Sequence, residues 1–300
     1  HPKLAMLGGT INPDILLVLA WTAFIYAGLR IVRRGPSLRR LAGAATATAA
    51  AFLTHGRGLP ILGALAVLLV IAYVRWRPPG RQALLGAGIC AGVVGLGLLA
   101  VVALSSGGTG GGAYGGEVSR LGGRGFNVRE FLSYVWQFYL PRPESLQESI
   151  GPPDYGIREV YFQSFYGDLA WLEIQYPAFA IDLLEIATIL LLVGLYTIAI
   201  RRLDAVRRSW PVISFLALTA IVLIASLHVS SYRDMLVNPA DPLFTGRYLF
   251  PLLAILAIAV TTLVMALPRR LAPLAAGVVV AGGVVLQLSA LGMTLVRFYA

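Results

Sequence analysis

The chain alternates long apolar runs with short polar breaks, and one long polar stretch interrupts it near the middle. A helix rises about 1.5 Å per residue, so about 17–25 near-continuous apolar residues are needed to cross about 30 Å of hydrocarbon. Eight runs reach or approach that length: roughly residues 14–31, 41–54, 58–74, 83–104, 178–200, 211–229, 248–267 and 271–296. Backbone in lipid must satisfy its own hydrogen bonds, so the runs are read as helices. The second run is short and rich in Ala and Thr. It either begins nearer Ser37 or sits against protein instead of lipid, and its small residues suit close helix–helix packing. The expected fold class is an all-α integral membrane protein of about eight transmembrane helices. Four lie in residues 1–104 and four in 178–300, with 105–177 as a long outward loop.

That loop has two halves. Residues 105–125 are Gly-rich and read as a mobile linker. Beyond them, Phe131, Tyr134, Val135 and Phe138 recur at helical spacing and predict an amphipathic helix lying at the interface over 126–139. Pro141 and Pro143 end it. The aromatic stretch 159–176 is a candidate for a second interfacial helix, at a depth where aromatic side chains gather whatever the function. No repeat of the solenoid or duplicated-transporter kind is present.

Charge sets the orientation. Hydrophobic residues make up 58% of the chain and charged ones 13%, so a net charge of +10 matters through its placement. The turns between runs one and two, three and four, five and six, and seven and eight carry 14 Arg and one acid, Asp204. The opposite side carries 10 basic residues and 13 acids. The positive-inside rule puts the Arg-rich turns in the cytoplasm, and eight spans alternate without conflict. This distribution argues against nucleic acid as a partner. Of the 24 basic residues only Lys3 is Lys, which reads as genome composition more than mechanism. Cys90 is alone, so no intrachain disulfide forms. No signal-peptide pattern is present, and the chain opens at His1 and not at a Met, which raises the expectation of an upstream portion.

Soluble-enzyme motifs such as GxSxG, HExxH and GxxxxGK[ST] are absent, as is a Cys/His metal set. Candidate chemistry gathers at the outer rim. His55 and Arg57, in the turn 54–58, either bind an anionic lipid phosphate or form a polar hairpin tip with a snorkelling Arg. The tight Gly-Arg-Gly tip favours a specific backbone shape. Arg247, at the entry to the seventh run, either makes bidentate phosphate or carboxylate contacts or acts with Tyr248 as an interfacial anchor. Asn12 and Asp14 open the first run, where an acid also simply caps a helix. Glu159, Asp168, Asp234 and Asp241 are outward acids able to position a sugar hydroxyl or act as a base, though such acids are mostly solvated. Asp182 and Glu185, one turn apart, are placed to pair with a loop Arg. Tyr134, Trp136, Gln137, Tyr139 and Arg142 add an aromatic and polar block.

Four stretches taken together resemble a known family: residues 10–14 (TINPD), 134–143 (YVWQFYLPRP), 162–172 (FQSFYGDLAWL) and 246–251 (GRYLFP). Their order and spacing resemble an actinobacterial-type family of multi-span membrane proteins related to the GT-C glycosyltransferases. Those include the dolichyl-phosphate-mannose mannosyltransferases and the aminoarabinose transferases. The resemblance runs from Thr10 to about Arg270. The WQFYLP and GRYLFP blocks carry most of its specificity; the apolar spans carry little. It implies a multi-pass plasma-membrane enzyme that takes a sugar from a polyprenyl-phosphate donor. Transfer would be to a polysaccharide, lipid or protein acceptor on the extracytoplasmic side. It also implies a catalytic acid in the first outward loop, expected upstream of His1, with Asp14 and Asp168 as the candidates within the chain. Where relatives often carry a Thr-Lys pair before the third span, this chain has Thr54-His55 and then Arg57. The substrate-binding residues expected on this reading are Asn12, His55, Arg57, Tyr134, Gln137, Tyr139, Arg142, Arg247 and Tyr248. Arg57 and Arg247 would stabilise the leaving phosphate and the aromatic loop would stack on sugar rings. A divalent metal ion is possible, but the acids show no recognisable ligand spacing.

Two other classes compete. A non-catalytic membrane scaffold, or an inactive fragment, is compatible with a chain lacking the first outward loop. A lipid or solute transporter calls for polar groups at mid-membrane depth, whereas the polar groups here gather at the rim, with His228 a weak exception.

Overall fold

The computed structural model describes residues 1–3, 5, 13–106, 125–146, 156–167, 169, 174–237 and 245–299. In chain order the longer helices are α1 (Pro13–Arg34), α2 (Leu38–Thr54), α3 (Ile61–Trp76), α4 (Gly80–Ser106), α5 (Val128–Tyr139), α6 (Ala178–Arg201), α7 (Trp210–Val237), α8 (Leu253–Ala266) and α9 (Ala272–Tyr299). Among the described residues there is no strand; one isolated bridge pairs Leu169 with Ile174. The all-helical class is therefore shown.

Among the described residues, six helical segments are long and apolar enough to cross a membrane: Pro13–Arg34, Gly80–Ala103, Ala178–Arg201, Trp210–Leu236, Gly246–Ala266 and Ala272–Tyr299. The other two expected spans are α2 and α3, of 17 and 16 residues. At about 26 and 24 Å they fall short of about 30 Å of hydrocarbon. They form one hairpin.

The chain divides into two compact units. One comprises Pro13–Pro153 and Arg208–Phe244; the other comprises His1–Asn12, Asp154–Arg207 and Thr245–Ala300. In the first, α2 packs on both α1 and α4, and α7 packs on α1 and α3. Half of α2 is buried, including Ala44, Ala45, Thr48, Ala51 and Phe52. Both sequence readings of this helix hold: it begins at Leu38 with Ser37 as its N-cap, and half of it sits against protein. α4 meets it through Gly86, Cys90 and Gly97. A Cβ at Gly86 would lie 2.6 Å from the Leu41 side chain, and one at Gly97 would lie 2.9 Å from the Phe52 ring. Small residues thus set how closely the two helices approach. The opposite side of α4 exposes Leu84, Leu96, Leu99 and Val102, as a lipid-facing surface requires.

In the second unit α8 packs between α6 and α9. A Cβ at Gly194 of α6 would lie 2.6 Å from Leu263 of α8. Leu169, Ile174, Tyr176, Ile181 and Ala290 form a small buried core. The tyrosine hydroxyl of Tyr176 donates to the Leu286 carbonyl at 2.6 Å. Burial pushes that phenol up to about 12.

Two local expectations change. The sixth run does not end at residue 229, because α7 continues to Val237. Ser231, Tyr232 and Asp234 are buried side chains of that helix instead of loop residues. Of the expected second interfacial helix over 159–176, the described part is a π-helical turn, Arg158–Gln163, and a short helical turn, Ser164–Tyr166, up to Gly167; residues 168 and 170–173 lie outside the described residues.

The α1–α7 contact is close because Gly28 faces the fully buried ring of Phe215; any Cβ there would run into that ring. Gly28→Leu is expected to destabilise the protein by about 1–3 kcal/mol through overpacking. Adding Phe215→Ala should return part of that loss, although Phe215→Ala alone is also destabilising. Thermal unfolding of the detergent-solubilised protein checks the sign of this coupling.

Candidate functional site

α5 begins cleanly. Asn127 caps it, its Oδ1 accepting from the amides of Arg129 at 3.0 Å and Glu130 at 3.4 Å. At the other end the Trp136 indole donates to the Pro141 carbonyl at 3.0 Å. The apolar stripe read from sequence faces α7, with Tyr134 and Phe138 buried.

The stripe closes on His228. The Tyr134 hydroxyl lies 2.9 Å from His228 Nδ1, and the Tyr139 hydroxyl lies 2.8 Å from Nε2. A neutral imidazole has one donor and one acceptor nitrogen, so one phenol donates to the ring and the other accepts from it. Ser231 hydrogen-bonds Tyr134 from the next turn of α7. Burial nevertheless drives the Tyr134 phenol well above its ordinary range. It is held protonated, as a donor or relay and not as a base. The Phe138 ring packs edge-on against His228, with centroids 4.9 Å apart. One turn further along α7, the Tyr232 hydroxyl donates to Glu130 Oε2 at 3.1 Å and lies 3.2 Å from the Asn127 carbonyl. The Tyr232 ring meets Phe126 and Phe131 at 5.1 and 5.5 Å.

Of the residues expected from sequence, Tyr134 and Tyr139 are therefore brought together, on a histidine that had not been placed in the site. The signal was available: His228, Ser231 and Tyr232 follow i, i+3, i+4 spacing once the helix is extended past residue 229. Gln137 turns back on its own helix and donates to Ser133 Oγ at 2.9 Å. Arg142 is exposed beyond the helix end.

The turn after α2 has the expected tight shape. Residues Gly56–Gly58 form a 3-10 turn, and the Gly58 amide donates to the His55 carbonyl at 2.8 Å. Any Cβ at Gly58 would collide with the Ala51 carbonyl, so only glycine fits. His55 is half-buried and its amide closes α2 on Ala51. Asp14 is buried in the first turn of α1, the position of a helix-stabilising acid. Asn12, Asp168, Asp241 and the Arg57 side chain lie outside the described residues.

Arg247 and Tyr248 sit in the second unit, in the 3-10 segment Gly246–Leu252 that leads into α8. The Gly246 amide donates to Ser164 Oγ at 2.7 Å, and Lys3 Nζ donates to the Ser164 carbonyl at 2.7 Å. A Cβ at residue 246 would collide with backbone atoms of Val160 and Phe165. The arginine is thereby fixed in register at the start of a membrane segment. Its Nη2 donates to the Tyr248 hydroxyl at 3.1 Å, and the guanidinium lies 5.1 Å from that ring's centroid. Arg158 is used differently. It bridges Asp182 and Glu185 at 2.7 Å each, the pairing their spacing suggested. The hydrogen bond to Asp182 leads the forces that hold its guanidinium more firmly protonated.

Among the described residues no group of three or more His, Cys, Asp and Glu side chains is arranged to hold a metal ion. Comparison of the chain with protein-family models, with curated proteins and with solved structures finds no match.

His228→Leu removes the shared partner of two phenols, one of them buried. It is expected to cost about 1–3 kcal/mol, the usual penalty for stranding buried polar groups. Tyr139→Phe, which removes one of the two hydroxyls, is expected to cost less. Unfolding midpoints, with limited proteolysis read at α5, check that order.

Proposed function

We propose that this chain works in a membrane glycosyltransferase, taking a sugar from a polyprenyl-phosphate donor and passing it to an acceptor on the extracytoplasmic side. The observation that carries this reading is Arg247, a permanent cation locked in register at the mouth of a membrane segment by Gly246 and Tyr248. A lipid-linked phosphate lies at that depth. In the reaction an acceptor hydroxyl gives its proton to a base and its oxygen attacks the anomeric carbon. The carbon–oxygen bond to the phosphate breaks, and its electron pair leaves with polyprenyl phosphate. Negative charge therefore grows on the phosphate, and a pre-oriented guanidinium stabilises that charge without having to reorganise.

The aromatic helix α5 supports the same reading from the first unit. Its Trp136 and Tyr139 present exposed ring area (46% and 37%) beside buried partners, a surface suited to one face of a sugar ring. The base is unassigned; Asp14 is the described carboxylate among the sequence candidates.

Arg247→Ala is expected to lower transfer by about 10²–10³-fold, the scale for losing one preorganised stabilising donor. It should also weaken retention of a fluorescent polyprenyl phosphate, while Arg247→Lys, which keeps the charge but loses the fork, falls between. The assays are sugar transfer and probe binding in native membranes, with unfolding midpoints as a control on the fold. Unchanged binding and turnover in a folded Arg247→Ala protein would remove the basis for the proposal.

A further inference from the structure

At the arginine-rich end of the first unit, two cavities adjoin and share Ser37 in their walls. One, of about 490 Å³, is lined by Arg30, Arg39, Arg40, Tyr26 and Gly43 among others, and by no acid. The other, of about 700 Å³, is an apolar groove between α2, α3 and α4, with Leu41, Leu69, Leu84 and Ala87 in its walls.

The frame around them is stiff. Gly35 reverses the chain after α1 with φ +83°, which a side chain rarely adopts. The Trp76 ring packs over it, and the Trp76 indole donates to the Val32 carbonyl at 3.2 Å. Arg40 Nη1 donates to the carbonyls of Arg34 and Gly35 at 2.9 and 2.7 Å. Arg40 is thus committed to closing α1. Arg30 and Arg39 are exposed, and Arg30 rests against the Tyr26 ring. Arg39 and Arg40 also occupy the first turn of α2, which holds no acid, at the helix end whose dipole disfavours cations. A bound anion would balance both the dipole and the clustered charge.

We infer that these two cavities, which meet at Ser37, bind one anionic diacyl phospholipid of the surrounding bilayer. Its headgroup phosphate sits in the basic cavity beside Arg30 and Arg39, and an acyl chain lies in the apolar groove. Charge complementarity selects the headgroup, since the basic cavity has no acid to neutralise it and the groove has no charged wall. The site is independent of the transfer reaction and uses none of its residues.

The test is retention of phosphatidylglycerol and phosphatidylcholine by the full chain, purified from vesicles of equal parts of the two and read by native mass spectrometry. The wild-type protein should carry phosphatidylglycerol in preference. Arg30→Gln with Arg39→Gln should weaken that binding by about thirtyfold, since each basic residue near a lipid surface contributes roughly fivefold. Arg40 is left in place because it holds the turn. Gly43→Leu supplies a second variant that keeps every arginine. A Cβ at Gly43 meets nothing within 4 Å, and Gly43 lines the basic cavity, so the added side chain starts in open space there. It should also lose the lipid while its unfolding midpoint holds. Equal retention of the two lipids by the wild-type protein overturns the inference. So does unchanged phosphatidylglycerol binding in either variant, or displacement of phosphatidylglycerol by an equimolar polyprenyl phosphate.

Discussion

A backbone carbonyl or amide stranded in hydrocarbon costs several kcal/mol, and this constraint governs where polar side chains are used in the chain. The helices satisfy their own interiors, so the demand falls on their ends. The carbonyls closing α1 are taken by Arg40 and Trp76. Asn127 caps α5 through its side chain and offers its carbonyl to Tyr232. Lys3, the only lysine, is turned inward to the Ser164 carbonyl, and Ser164 in turn holds the Gly246 amide. Much of the polar inventory of a very apolar chain is therefore structural, and residue type alone does not identify a site.

The coarse fold was legible because lipid makes its demand over a whole span. Twenty apolar residues in a row have few other readings. Finer boundaries were less legible because a helix is not obliged to stop where hydrophobicity stops. Ser230 to Asp234 read as loop on composition, yet they continue α7 because α5 covers them. At residues 159–176, where aromatic density suggested a helix, Arg158–Tyr166 is helical up to Gly167, whose amide donates to the Gln163 carbonyl, and residues 168 and 170–173 lie outside the described residues. α2 looked ambiguous for a physical reason: Ala and Thr are apolar enough for lipid and small enough for a protein interior. Its buried half settles the matter locally.

For the site, the amphipathic helix itself was legible, because helical periodicity is a property of one segment, but its stripe, expected to lie at the membrane interface, packs on α7 with Tyr134 buried. That the partner is His228, 94 residues away, is a tertiary fact, and the i, i+3, i+4 spacing of His228, Ser231 and Tyr232 points to it only once α7 is carried past residue 229. Gln137 shows the converse. It was chosen for its chemistry inside a distinctive block, and its amide is taken up by Ser133 one turn back.

The arginines show how environment divides one residue type among different tasks. Arg158 faces two carboxylates and is committed to joining its turn to α6. Arg40 closes a helix through neutral carbonyls. Arg247 is oriented by a phenol, and the glycine before it fixes its backbone against two other segments. Arg30 and Arg39 line a cavity that holds no acid. A guanidinium is charged at any working pH, so what distinguishes these sites is not ionisation. It is the partner each one meets: a carboxylate pair ties Arg158 to its helix, backbone carbonyls make Arg40 a helix cap, and a neighbouring phenol orients Arg247.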